Sequence, residues 1–143
     1  MIDLKEKIRR LKERGMVLTT QRRAVLEALQ DEDRHPSAEE IYLQLKADYP
    51  SLSLATVYTN LEALVKSGEV QKLNLAPGSF HYDPLPAPHH HFYCEKCRQL
   101  GNIEISCPVA SCGEFQGHRI NTVQACFYGV CASCLKAEKE EKS

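Results

Sequence analysis

The stretch Ser53-Leu-Ala-Thr-Val-Tyr-Thr-Asn-Leu-Glu-Ala-Leu-Val-Lys-Ser-Gly68, with the runs Glu69–Leu75 and Ser79–Asp83 behind it, decides the fold of this chain. Ser53 is a residue that caps helices, and Val57, Leu61, Leu64 and Val65 recur at helical spacing. Gly68 stands where such a helix ends. The two runs that follow have strand character and are separated by Pro77-Gly78, a turn dipeptide.

Upstream, three more helices are expected. Leu4, Ile8 and Leu11 share a face, and Gly15 can terminate their helix. Thr20 can cap a second helix, with Val25, Leu26 and Leu29 apolar. Ser37 with Glu40 forms a capping box that opens a third, with Ile41, Tyr42 and Leu45 inward and Pro50 ending it. Short helices followed by a β-hairpin are the pattern of a winged helix-turn-helix; a plain helical bundle is the alternative.

Downstream, Pro84, Pro86 and Pro88 forbid a regular helix or central strand, so residues 84–91 read as a hinge. The text then turns β-like at His91–Cys94, Gly101–Ile105 and Ile120–Val130, and a charged helix runs from Ala132 to the end. Ser106–Gly117 is rich in small residues and has no readable period. The expectation is an α+β chain with a winged helix at 1–83, a hinge at 84–91 and a second domain at 92–143.

Bulk properties set limits. At 143 residues, 43% hydrophobic and 26% charged, the chain has room for one domain or two small ones of ordinary globular composition. Its first fourteen residues are charged and unlike an export signal, and no apolar run approaches the ~18 residues that cross a bilayer. A cytoplasmic protein without a membrane partner is expected. A net charge of −1 argues against nucleic acid, but residues 1–23 hold eight Lys/Arg against three Asp/Glu. Such a locally basic face can bind phosphates on a near-neutral protein.

Seven cysteines without an export signal suggest metal ligation or thiol chemistry. Cys94 and Cys97, with Cys131 and Cys134, form two CxxC pairs. Each pair places two thiolates at adjacent corners of a tetrahedron, and two pairs close a structural zinc site. The 33 residues between them are too many for a compact finger, so the site staples distant strands. Two redox pairs are the alternative.

His89-His90-His91 lies beside Asp83, with His35 far upstream at the entrance to the third helix. In an extended segment His89 and His91 point to one side. Imidazole with carboxylate suits Fe(II), Mn(II), Zn(II) or Ni(II); a solvated histidine-rich loop is the alternative. The fourth helix exposes Ser53, Thr56, Tyr58 and Thr59 opposite its apolar face. That suits a recognition helix in a major groove, although many polar helix faces only meet water.

His35-Pro-Ser-Ala-Glu-Glu-Ile-Tyr42, Ser53–Leu61, His89-His-His-Phe-Tyr-Cys-Glu-Lys-Cys97 and Phe127-Tyr-Gly-Val-Cys-Ala-Ser-Cys134 resemble, in order, the signature segments of the ferric uptake regulator family. The resemblance covers nearly the whole chain. It implies an N-terminal winged helix and a C-terminal α/β dimerisation domain. It also implies a homodimer that binds a double-stranded DNA operator palindrome when a regulatory divalent metal closes the hinge. The family's structural Zn(II) falls on Cys94, Cys97, Cys131 and Cys134, and its regulatory site on His35, Asp83, His89 and His91. The fifth regulatory ligand is an acid in the family; here Asn102 holds that place and Glu104 stands two residues on, so the choice between them is open. A histidine near Val123, used for a further metal in some relatives, is absent.

Asp83, eleven residues before Cys94, resembles the peroxide-responsive (PerR) branch of the family. There Fe(II) reacts with peroxide and a ligand histidine is oxidised; by resemblance the sensitive residues are His35 and His89, and Fe(II) or Mn(II) fills the site. The alternative is an iron or other divalent-metal uptake regulator without peroxide sensing, and Asn102 counts against the peroxide branch. Metal ligation at the hinge would change DNA affinity, with Arg14, Arg22 and Arg23 on phosphates and Tyr58 and Thr59 at base edges.

Three cysteines remain. Cys126 reads as a small core residue. Cys107 and Cys112 are inert thiols, a redox pair or ligands to another metal; no basic residue nearby lowers their pKa, which favours the first. From another class, a zinc-dependent hydrolase would use Asp83 and the histidines, but no HExxH helix or nucleophile–base pattern accompanies them. A metal buffer would bind metal without any effect on DNA.

Overall fold

Helix caps and glycine stops lay out the first half of the chain, which a computed structural model describes over residues 3–31, 33–76, 78–84, 89–106 and 113–142. The chain divides into two units, Met1–Pro86 and Ala87–Ser143. In the first, α1 (Leu4–Glu13), α2 (Thr20–Ala28), α3 (Ala38–Leu45) and α4 (Leu54–Lys66) precede the antiparallel hairpin β1 (Gln71–Ala76) and β2 (Ser79–Asp83). This is a winged helix-turn-helix.

The side chains of Asp3, Thr19, Ser37 and Ser53 accept hydrogen bonds from the N–H groups of Lys5, Arg22, Glu40 and Thr56. The second cap is therefore Thr19 rather than Thr20: the threonine one residue earlier has the extended backbone a cap needs. The third helix stops at Leu45, five residues short of Pro50, and turns carry the chain between. Gly15 and Gly68 follow α1 and α4 with φ of 82° and 84°, the left-handed conformation that a side chain would strain.

The core gathers Leu11 of α1, Val25, Leu26 and Leu29 around α2, Ile41 of α3, Val57, Leu61 and Leu64 of α4, and Tyr82 of β2. Leu61 is fully buried at its centre. Leu61→Ala is expected to destabilise the first unit by about 2–5 kcal/mol, through lost burial and the cavity left behind. Urea unfolding followed by helix circular dichroism measures it.

The basic residues of α1 turn partly inward. Lys7 is buried and its Nζ donates to the Pro84 carbonyl at 2.7 Å. Arg10 reaches the buried Glu69 at 3.0 Å, and Arg14 lies 3.6 Å from the same carboxylate. A good part of the local positive charge therefore docks α1 on its own unit and is not presented to solvent.

In the second unit β3 (His90–Cys94) pairs antiparallel with β4 (Leu100–Ile103), while β5 (Glu114–Phe115) and β6 (His118–Arg119) form a small hairpin. The last strand, β7 (Cys126–Gly129), runs parallel to β3, and α5 (Ala132–Glu141) closes the chain. The sheet order is β4-β3-β7. Of the β-rich run expected at Ile120–Val130 only Cys126–Gly129 is strand, because β3 offers pairing only along that length. Likewise β4 spans Leu100–Ile103 rather than Gly101–Ile105. Among the described residues the buried apolar side chains of this unit are Tyr93, Cys94 and Leu100, and α5 buries none. No helix among the described residues is long and apolar enough to cross a membrane.

Candidate metal centre

Four sulfurs converge in the second unit. Cys94 ends β3, Cys97 follows in the turn to β4, Cys131 caps α5 and Cys134 lies in its first turn. Their Sγ atoms all lie within 4.8 Å of one another. Cys94 and Cys134 are 3.9 Å apart, as are Cys97 and Cys131. Four Zn–S bonds of ~2.3 Å at tetrahedral angles place sulfurs about 3.8 Å apart, so the set fits a closed zinc site.

The turn is built for this. Arg98 adopts a φ of 61° and its N–H donates to the Cys94 carbonyl at 2.8 Å, folding the chain back over its own sulfur. Backbone N–H groups of Cys97 and Cys131 donate to Cys94 Sγ at 3.4 and 3.3 Å. Burial pushes the Cys94 thiol up, but these N–H groups, with that of Lys96, outweigh it and hold the thiol at about 6. Cys134, hydrogen-bonded to Cys131, is pushed up to about 12. One thiolate thus forms readily, and Cys97 and Cys134 resist ionising beside it; a dication removes that repulsion.

Two further groups of candidate ligands occur, one in each unit. In the first, His35 stands just before α3 and Asp83 ends β2; both are buried, with Nδ1 of His35 3.7 Å from Oδ1 of Asp83. In the second, the rings of His89 and His91 have centroids 4.4 Å apart. His90 turns elsewhere, its Nδ1 accepting the Ala125 N–H at 3.1 Å. Asn102 lies directly across the β3–β4 ladder from His91 and so shares its face. Glu104 falls past the end of β4 and is exposed. Imidazole and carboxylate are donors for divalent transition ions, and a buried carboxylate needs a positive charge or several hydrogen bonds beside it.

The residues expected from the sequence to meet DNA are more engaged than that expectation suggests. Ser53 caps α4 and its hydroxyl contacts that of Thr56 at 2.8 Å. Thr59 is exposed and bonds back to the Ala55 carbonyl. Tyr58 donates to Glu39 Oε1 at 2.6 Å, which pushes the phenol up to about 12 and holds the Glu39 carboxyl below its ordinary value. Arg22 is half-buried and donates to Asn60 Oδ1 and the Val17 carbonyl, and Arg14 donates to the Ser67 carbonyl. Arg23, on the exposed side of α2, pairs only along its own helix with Glu27 among the bonds described. Cys126 is half-buried in β7 rather than part of the core, since its strand lies at the sheet edge. Cys107 and Cys112 lie outside the described residues.

The sequence model of the ferric uptake regulator family matches residues 13–125. The peroxide operon regulator of Bacillus subtilis (strain 168) is 35% identical over 142 residues, covering 95% of this chain and 96% of its own. Among solved structures, a zinc-bound manganese uptake regulator superimposes with a TM-score of 0.73 at 25% identity, over 87% of this chain and 97% of that one. The peroxide-sensing gene regulator PerR from Streptococcus pyogenes does so with a TM-score of 0.55 at 29% identity, over 93% and 94%. Proteins of this kind are transcriptional regulators, which removes the hydrolase reading. By its matched residues and by the extent of these likenesses, the chain belongs to the ferric uptake regulator family.

Proposed function

We propose that the protein is a cytoplasmic, metal-dependent, homodimeric transcriptional repressor that releases its operator when peroxide oxidises a ligand of its regulatory metal. Cys94, Cys97, Cys131 and Cys134 hold structural Zn(II). His35 and Asp83 of the first unit, with His89 and His91 of the second, ligate Fe(II) or Mn(II). The observation that carries this reading is the buried His35–Asp83 pair, 3.7 Å apart inside the winged-helix unit. Two metal donors in the unit that carries α4 give a metal direct leverage on how that helix is presented. The likeness to the Bacillus subtilis peroxide operon regulator supports the choice of stimulus.

The residues divide the work. Metal binding selects the DNA-competent arrangement; a typical coupling of ~1–3 kcal/mol changes affinity about 5- to 150-fold. Ser53, Thr56, Tyr58 and Thr59 meet base edges and phosphates of an operator palindrome, with Arg14, Arg22 and Arg23 on the backbone. Of the three arginines Arg23 is the most accessible, so it carries most of the phosphate contact. Fe(II), if held by these residues, would activate peroxide, one oxygen of which would replace a hydrogen on a ligand imidazole while the other leaves as water. His35 or His89 would receive that oxygen, and an oxidised imidazole is a poorer donor, so the ligand set would fail. A second reading, a divalent-metal sensor without peroxide chemistry, is favoured by Asn102, a neutral amide across from His91.

Anaerobic fluorescence anisotropy of the zinc-loaded protein on a pool of palindromic AT-rich duplexes tests this. Both Fe(II) and Mn(II) forms are expected to bind, and near-stoichiometric peroxide to release only the Fe(II) form, with one added oxygen on His35 or His89 by mass spectrometry. Retention of both forms would assign a metal sensor instead. No metal-dependent binding to any duplex would remove the repressor reading.

A further inference from the structure

Beside His35 and Asp83 the first unit holds another buried histidine that no sequence motif marks. His81, in β2, is only 2% exposed. Its Nδ1 lies 2.6 Å from the backbone carbonyl of His35, and its Nε2 lies 3.1 Å from the hydroxyl of Ser79. A carbonyl can only accept, so Nδ1 carries the proton and donates; Nε2 is then the acceptor for the Ser79 hydroxyl. Two partners thus set both the orientation of the ring and its tautomer.

The neighbouring residue repeats the grip: the Tyr82 N–H donates to the Pro36 carbonyl at 3.0 Å. Strand β2 therefore holds residues 35 and 36, which belong to no helix or strand of their own. His81 and Asp83 are two apart on β2 and so lie on one face of it. The same strand face that presents Asp83 clamps the backbone from which His35 projects.

We propose that His81 is a positioning residue of the regulatory metal centre. By holding the His35 carbonyl it sets where the His35 imidazole stands relative to Asp83, and it touches no metal itself. This rests on the reading of His35 and Asp83 as ligands. Changing a group that orients a ligand typically costs about 10- to 100-fold in metal affinity.

The test is an anaerobic Mn(II) titration of the zinc-loaded, full-length protein, with free Mn(II) followed by electron paramagnetic resonance. Wild type is compared with His81→Asn, His81→Gln and His81→Phe. An asparagine amide nitrogen takes roughly the place of Nδ1 and can donate to the His35 carbonyl; a glutamine amide nitrogen takes that of Nε2 and serves Ser79 instead. His81→Asn is expected to stay close to wild type, while His81→Gln and His81→Phe bind Mn(II) about tenfold or more weakly. Zinc content is expected to be equal in all four. Equal Mn(II) affinity in the Asn and Gln variants overturns the proposal, and because both are small amides the comparison survives failure of the Phe variant to fold. Wild type that takes up no Mn(II) removes the ligand reading itself, and the positioning role with it.

Discussion

Cys94→Ser is expected to empty the zinc site and unfold the second unit while the winged helix remains folded. The reason is the thinness of that unit's interior. Among the described residues it buries only Tyr93, Cys94 and Leu100 as apolar side chains, and its helix buries none. A core of that size does not offset the chain entropy of a unit of this length. Structural zinc contributes about 10–16 kcal/mol of apparent folding free energy in small domains, comparable with the whole stability of an ordinary protein. Cys94 is the member to change, because its sulfur is buried, takes two backbone N–H bonds and stands at the hinge between β3 and the metal turn. A serine oxygen is a poor substitute for a thiolate. Metal analysis is expected to fall from one zinc per chain toward none. Hydrogen exchange is expected to show protection lost over residues 90–142 and kept in α2, α3 and α4. Retained zinc with full protection would mean that the four sulfurs are not the site that holds the unit together.

The second large effect is functional. His35→Ala is expected to abolish the response of DNA binding to Mn(II) while leaving the zinc content and the fold intact. Wild type is expected to gain about 5- to 150-fold in affinity on metal addition, the usual range for coupling between two sites, and the variant nothing. The backbone carbonyl of residue 35 survives the substitution, so the His81 and Tyr82 bonds that tie this segment to β2 are retained. Asp83→Ala is expected to behave alike, and the double variant to be no worse than either single one, because ligands of one site act as a unit. Anisotropy titrations with and without Mn(II) on one duplex measure all four proteins. A variant that still responds to metal would remove His35 from the ligand set.

Much of this was legible in the order of residues. The caps Ser37 and Ser53, the period of Val57, Leu61 and Leu64, and Gly68 after them act within one or two helical turns, so a local reading recovers α3 and α4. Two CxxC pairs announce a zinc site because thiolate chemistry and tetrahedral geometry leave few other uses for that spacing. Strand ends were less legible. The run 120–130 has β character throughout, yet only Cys126–Gly129 pairs, since a strand's length is set by its partner as much as by its own residues. Glu104 read as a neighbour of Asn102 on one strand face, but β4 stops at Ile103 before reaching it.

By itself, then, the sequence determined the four-helix-and-wing order of the first unit, the sulfur tetrahedron of the second and the histidines and aspartate available to a second metal. All of these follow from local periodicity, capping and the chemistry of ligand types. Only the tertiary structure decided which charges remain free for a partner. Lys7 bonds Pro84, 77 positions away, Arg10 and Arg14 close on the buried Glu69, and Arg22 takes Asn60. It also decided that His81 grips the backbone of His35, 46 positions away, with a defined tautomer. A polar side chain's partner is set by whichever distant element packs against it, because burial without a partner is costly, and that long-range choice leaves no period in the sequence to read.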